Sequence, residues 1–262
     1  MTDLERRLRD LPADTLTALA FFSRLPVATP ATFDLRQAAA GWPPAGLLIA
    51  IGPALVLLLL RATGFPAVVA VIFALALYAA LTRGMHEDGL ADTFDAFGGG
   101  RTPETRLAIM RDSRLGTFGA LALFFALLLK IAALAEISFV AWHGALGLVA
   151  TAIVSRSLAL WHWQETLPAR RDGMAWAAGR PDGIAFTIGL GAAAITALFL
   201  FVVFGMGALI GILLGAVGVG YLNSLATKAF GGHTGDTIGA AQQIAEALLL
   251  AGLTVGGTSI LA

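Results

Sequence analysis

Apolar residues in this chain come in long unbroken runs separated by polar breaks. Seven runs stand out, at about 45–60, 65–82, 117–135, 139–160, 184–204, 207–225 and 244–261. A helix needs roughly 20 apolar residues to cross the hydrocarbon core of a bilayer. Each run therefore predicts a transmembrane helix, the first a short one entered through Trp42-Pro43-Pro44. Segment 15–22 is too short to cross and reads as interfacial, ending at Arg24-Leu25-Pro26. The breaks at 61–64, 136–138 and 205–206 are very short, whereas 83–116, 161–183 and 226–243 are long and polar. Seven crossings put the N-terminal segment and all the long loops on one side and the C-terminus on the other. Of the 17 Lys and Arg, all but Arg61, Lys130 and Arg156 fall on that side, which the positive-inside rule makes cytoplasmic. The fold class expected is all-α: a polytopic helical bundle in the membrane, with 1–262 forming one membrane domain. Within it, 1–44 is a cytoplasmic and interfacial N-terminal segment, 83–116 an acidic loop and 226–243 a glycine-rich C-terminal loop.

Composition agrees. Apolar residues make up 58% and charged residues 13%, and mean hydropathy is +0.82; a soluble domain carries about a quarter charged residues. The absence of cysteine removes disulfides, thiolate nucleophiles and cysteine metal sites. The net charge of zero gives no reason to expect a nucleic-acid partner. The charged segment 1–14 lacks the apolar core of a cleaved signal. Gly207, Gly211 and Gly215 recur every fourth residue and predict close helix packing.

The chemistry concentrates in 84–97, Gly-Met-His-Glu-Asp-Gly-Leu-Ala-Asp-Thr-Phe-Asp-Ala-Phe. Asp88, Asp92 and Asp95 stand at i, i+4 and i+7, one face of a helix, where like charges repel. A cation between them removes that cost, and Mg²⁺ suits oxygen ligands that leave room for water and phosphate. Interleaved Leu90, Phe94 and Phe97 bury part of this helix; a solvated acidic helix end is the plainer reading. Thr102-Pro103-Glu104 reads as a helix start. It leads to Arg111-Asp112-Ser113-Arg114, whose guanidinium forks suit phosphate but also suit simple anchoring of the next span. Lys130, deep in the third span, is expected past the midplane, either paired with a buried partner or snorkelling to the far interface. Arg156 and Glu246 lie nearer the polar side. In Gly231-Gly232-His233-Thr234-Gly235-Asp236-Thr237, the turn before the last span suits an anion or metal, or is an ordinary turn capped by Asp236 or Thr237. Loop 167–174 is basic and suits phosphate or a lipid surface. His86 and His233, each beside carboxylates, read as metal ligands or as structural residues.

Together these residues resemble the cobalamin synthase family. Arg24-Leu25-Pro26, His86-Glu87-Asp88-Gly89-Leu90-Ala91-Asp92-Thr93-Phe94-Asp95, Ile109-Met110-Arg111-Asp112-Ser113-Arg114-Leu115-Gly116-Thr117-Phe118-Gly119, Lys130 and the GGHTGDT turn carry the likeness over nearly the whole chain. Ala96 departs from it, standing where glycine is common. The resemblance implies a bacterial inner-membrane, Mg²⁺-dependent phosphotransferase. Its substrates are adenosylcobinamide-GDP and α-ribazole or α-ribazole 5′-phosphate, and GMP is released. On that footing Asp88, Asp92 and Asp95 are expected at the metal with Glu87 beside them. One of these, or Asp236, accepts the hydroxyl proton. Arg111 and Arg114 take phosphate oxygens, with Asp112, Ser113, Arg24, Lys130, Arg156 and Thr234 as further substrate contacts. The lipid bilayer is the other expected partner, and a homo-oligomer stays open. Two rival readings fit the sequence less well. A CDP-alcohol phosphotransferase needs Ala-Arg where the chain has Ala91-Asp92, and a transporter with a phosphate or metal site needs its cluster nearer the midplane.

Overall fold

The computed structural model describes residues 2–28 and 34–256. The chain forms α1 (Asp3–Phe22), α2 (Trp42–Ala62), α3 (Ala67–Thr82), α4 (Met85–Gly99), α5 (Pro103–Ile109), α6 (Thr117–Ile137), α7 (Ala141–Glu165), α8 (Gly173–Ala178), α9 (Gly183–Phe204), α10 (Met206–Phe230) and α11 (Gly235–Leu253). A 3₁₀ turn at Gln37–Gly41 leads straight into α2, with Pro43 and Pro44 tolerated in its first turn because those N–H groups have no helical partner in any case.

Helices long and apolar enough to cross a membrane number five among the described residues: α2 with its leading turn, α6, α7, α9 and α10. A sixth crossing arises only if α3 and α4 count together, bent by 87°. The expected count of seven is thus close, with two corrections. The second run ends in the 16-residue α3, which the acidic helix α4 follows after the sharp bend. The seventh run begins at Gly235 rather than 244, and its predicted end at 257–261 lies outside the described residues. As a whole α11 is too polar to pass on hydropathy, yet it runs along α10 from the His233 turn to Gly207, where a Cβ would meet Val255 O at 2.6 Å. The N-terminal segment also differs: residues 3–22 form one continuous helix with a Thr2–Glu5 capping box and Pro12 inside it.

The break between α3 and α4 is built by two successive left-handed residues, Arg83 (φ 59°) and Gly84 (φ 63°). Gly84 adopts this conformation freely. Arg83 is held there as its guanidinium donates to Ser23 O (3.1 Å), while Arg24 N donates to Leu81 O (2.8 Å). From this break α4 runs antiparallel to α6 and α11. The long polar segments meet at one end of the bundle. Arg7 of α1 pairs with Asp182 at the start of α9 (2.8 Å), Arg111 with Asp172 (2.6 Å), and His233 N with Leu167 O (2.7 Å). Burial pushes the carboxyl of Asp14, beside Arg7, up to about 6.

The glycine stripe of α10 packs on α11. A Cβ on Gly211 would lie 2.6 Å from Leu249 O, and one on Gly252 2.1 Å from Gly211 Cα. Gly211→Val therefore forces the two helices apart. The expected loss is about 1–3 kcal/mol, read as a lower melting temperature of the detergent-purified protein; an unchanged melt contradicts this packing.

Candidate active site

The acidic face of α4 divides its labour. Asp88 opens onto a cavity of about 190 Å³ at the polar end, which it shares with Asp236, the second residue of α11. A Cβ on Gly89 would sit 2.7 Å from Asp236 O, so glycine lets the two helices approach until their carboxylates face one space. The charges of Asp88, Asp236 and Asp95 all act on Asp92, and the charges of Arg170 and Asp88 act on Asp236.

Asp95 and Glu87, expected beside them, are engaged by other partners. Asp95 Oδ2 accepts from Gly116 N (2.7 Å) and Oδ1 from Gly119 N (2.8 Å). It is the missing N-cap of α6, whose own cap position, Gly116, has no side chain to offer. A Cβ on either glycine would strike the Asp95 carboxylate, at 2.4 Å from Gly116 and 2.3 Å from Gly119. The Leu115-Gly116-Thr117-Phe118-Gly119 string is thus the receptor for this cap. Asp95→Ala should lose about 1–2 kcal/mol and disturb the 100–116 loop. Asp95→Asn keeps one of the two acceptors, so it should cost less stability than Asp95→Ala and keep turnover; complete inactivity of a folded Asp95→Asn protein would restore Asp95 to the chemistry.

Glu87 points into the bundle, accepting from Gln243 Nε2 (3.1 Å) and lying 3.9 Å from Lys130 Nζ. Lys130 is fully buried, donates to Gln243 Oε1 (2.7 Å) and pairs with Glu246 (3.5 Å). It does not snorkel, and it does reach the acidic segment, because the α3–α4 break starts α4 inside the bundle. Gln242 extends the layer to Ser155 (3.0 Å) and Glu246 (3.2 Å). Arg156 donates to Tyr78 OH (2.8 Å) and Ala152 O (3.0 Å), with its guanidinium over the rings of Phe22 and Tyr78. Neither Lys130 nor Arg156 lines the cavity; both belong to a polar layer beneath it.

The cavity wall itself is aromatic. Trp42 stacks on Trp163 (5.1 Å between centroids), Phe22 stands edge-on to Trp42 (4.9 Å), and His86 stacks on Phe22 (5.3 Å). The wall comes from α1, α2, α4 and α7, and Trp163 Nε1 is satisfied by Gly179 O (2.8 Å). Sequence reasoning missed this box. Its one signal was Trp42 at the entrance to a span, and Trp163 looked like any aromatic at a span end.

A second cavity of about 150 Å³ adjoins the first. It shares Met174, Ala175, Gly235 and Asp236 with it and adds Arg170, Asp172, His233 and Thr234. The short helix α8 lies over both. Thr234, not Asp236 or Thr237, caps α11, with reciprocal bonds to Thr237 (3.2 and 2.9 Å). Its hydroxyl also approaches Asp236 Oδ2 (3.3 Å). Two consecutive positive-φ glycines, Gly231 and Gly232, press the turn onto 167–169, leaving His233 O to accept from Ala169 N (2.8 Å).

The remaining predicted contacts are not gathered here. Arg24 is exposed and lines neither cavity. Arg111 holds Asp172 of the α7–α8 loop at the rim. Arg114, exposed like Ser113, is bound by Asp112, whose carboxyl its hydrogen bonds hold down at about 2.

Among the described residues no three His, Cys, Asp or Glu side chains stand close enough to cage a metal ion. The donor chemistry nonetheless fits Mg²⁺ through Asp88 and Asp92. This ion characteristically uses one or two carboxylates and takes its other positions from water and substrate phosphates.

Residues 14–254 match the model of the cobalamin-5-phosphate synthase family. Curated relatives named adenosylcobinamide-GDP ribazoletransferase include those of Rhizobium etli (strain CIAT 652), 42% identical over 259 residues covering 94% of this chain and 98% of the relative. That of Sinorhizobium medicae (strain WSM419) is 40% identical over 257 residues, 95% and 98%. That of Azorhizobium caulinodans is 39% identical over 252 residues, 93% and 96%. No solved structure matches. With an acidic helix folded against a polar helix end over an aromatic cavity, and with likeness along almost its whole length, the chain belongs to the cobalamin-5-phosphate synthase family.

Proposed function

We propose that the protein joins adenosylcobinamide-GDP to α-ribazole, or to α-ribazole 5′-phosphate, and releases GMP. The product is adenosylcobalamin or its 5′-phosphate. The observation that carries this reading is the meeting of Asp88 and Asp236 at one aromatic-walled cavity. Its aromatic faces suit a planar base, and its carboxylate edge suits a ribose and, through a cation, a diphosphate. The reaction needs in-line positioning and charge neutralisation rather than a covalent intermediate, which fits a chain without cysteine.

Asp88 and Asp92 would hold Mg²⁺, which when bound supplies positive charge to the bridging phosphates. The chain's own residues do the rest. Trp42, Trp163 and Phe22 exclude water and hold a ring. Asp236 presents an acceptor on the wall common to both cavities. Arg170 faces the second cavity with Nη1 buried and unpartnered, a donor for a phosphate oxygen. Arg111, tied to Asp172, closes the rim. The membrane concerned is the bacterial inner membrane, with the polar end and its cavities in the cytoplasm, as the distribution of Lys and Arg favours.

Mass spectrometry of detergent-purified protein incubated with Mg²⁺, adenosylcobinamide-GDP and α-ribazole tests the reading. The expected result is GMP with the joined corrinoid in equal amounts. Unchanged substrates would overturn it.

A further inference from the structure

We propose that His233 is the general base of the transfer reaction, taking the proton of the attacking ribazole hydroxyl at Nε2. The inference rests on the proposed transferase function, and the hydrogen-bond network carries it. His233 is 1% exposed, and its Nδ1 lies 3.0 Å from Thr166 Oγ1 and 3.1 Å from Thr166 O. The carbonyl accepts only. The Thr166 hydroxyl has already given its proton to His162 O (2.6 Å), so towards His233 it also accepts. Both partners of Nδ1 are acceptors, hence Nδ1 carries the hydrogen, and in the neutral ring Nε2 holds a free lone pair. That Nε2 is buried with no partner, and His233 is one of the residues around the cavity that Arg170, Asp172, Thr234 and Asp236 share.

The residues around this cavity therefore include one unsatisfied acceptor, His233 Nε2, and one unsatisfied donor, Arg170 Nη1. A hydroxyl lying beside a phosphoryl oxygen satisfies both, and that is the pairing of groups in the step itself. The 3′-hydroxyl oxygen attacks the phosphorus attached to cobinamide. The bond from that phosphorus to the bridging oxygen breaks, its electron pair leaving with GMP. The hydroxyl proton passes to Nε2 and then to solvent. One P–O bond forms, one breaks, and no oxidant or reductant is needed.

The surroundings suit the role. The backbone of His233 is fixed at both ends by Leu167 and Ala169, so the ring is preorganised. Burial, with the charge of Arg180, draws its pKa down to about 4, which keeps the lone pair free at neutral pH. Asp236, Asp172 and the arriving phosphates offset Arg170 and Arg180 when the imidazolium forms.

The test uses the full chain in detergent with adenosylcobinamide-GDP and α-ribazole. His233→Asn keeps an amide N–H for Thr166 but places nothing at the Nε2 position. The expected result is a fall in kcat of about 10²–10⁴-fold, with KM for both substrates within about threefold. In His233→Gly, added imidazole should restore part of the rate, which a packing role would not allow. A folded His233→Asn protein with wild-type kcat overturns the inference, as does the absence of imidazole rescue. If neither variant folds, wild-type protein is treated with diethylpyrocarbonate. Modification mapped to His233, blocked by α-ribazole and proportional to lost activity, supports the base; full activity with His233 modified overturns it. Wild-type protein that forms no product overturns the transferase reading itself, and that outcome is read before any variant is made.

Discussion

Asp88→Asn should reduce turnover by about 10³-fold or more while the protein stays folded in the membrane. The side chain is nearly isosteric, and none of its own hydrogen bonds holds a neighbouring helix in place. The loss therefore comes from charge. Asp88 is the carboxylate of α4 that opens to the cavity, and the charges of Asp236 and Asp95 join it in acting on Asp92. A carboxylate that holds the cation neutralising a transferring phosphoryl group is expected to contribute factors of this size. Asp92→Asn should follow, with a smaller effect on folding than on rate. Initial rates of GMP formation, set beside the melting temperature of each variant, check both. A folded Asp88→Asn protein working at the wild-type rate would remove α4 from the chemistry.

The second large effect concerns stability. Lys130→Met should lower unfolding free energy by about 3–5 kcal/mol, the cost of leaving buried partners of an ion pair uncompensated. Lys130 is the shared cation of Glu246 (3.5 Å) and Glu87 (3.9 Å), and both the lysine and Glu246 are almost wholly inaccessible. The same layer fixes α4 to α11 through Gln243, so its loss loosens the frame that brings Asp88 to Asp236. Adding Glu246→Gln to Lys130→Met removes one stranded charge and should recover about 1–3 kcal/mol, a coupling within the range for contacting residues. Denaturant or thermal unfolding in detergent measures the cycle. Strict additivity of the two substitutions would mean that the pair is not coupled.

These expectations show where local pattern was sufficient. The membrane class, the helical runs, the Thr102 cap, the close face of α10 and the shared side of the polar loops follow from hydropathy, capping chemistry and small-residue spacing, all set within a few turns of chain. The site was legible only in part. The stripe Asp88–Asp92–Asp95 marks one helix face, but nothing local says that Asp95 serves two glycine N–H groups in a segment beginning 21 residues later. Lys130 looked remote from the acidic segment because 83–116 reads as a loop outside the spans; two left-handed residues at 83–84 start α4 within the bundle and bring Glu87 to it. The aromatic wall draws single residues from four helices, so no window of sequence contains it. His233 stood among glycines with no sign of its tautomer, which depends on how Thr166 spends its hydroxyl proton.

The account depends on carboxylates of α4 gathering a divalent cation around the substrate's phosphates. The most direct measurement is the Mg²⁺ dependence of single-turnover GMP release in wild-type protein and in Asp92→Asn. The rate should vanish in chelator, return with Mg²⁺, and require at least about tenfold more Mg²⁺ in the variant, in line with loss of one carboxylate ligand. Full wild-type turnover in chelator, or the same Mg²⁺ requirement in both proteins, would contradict it.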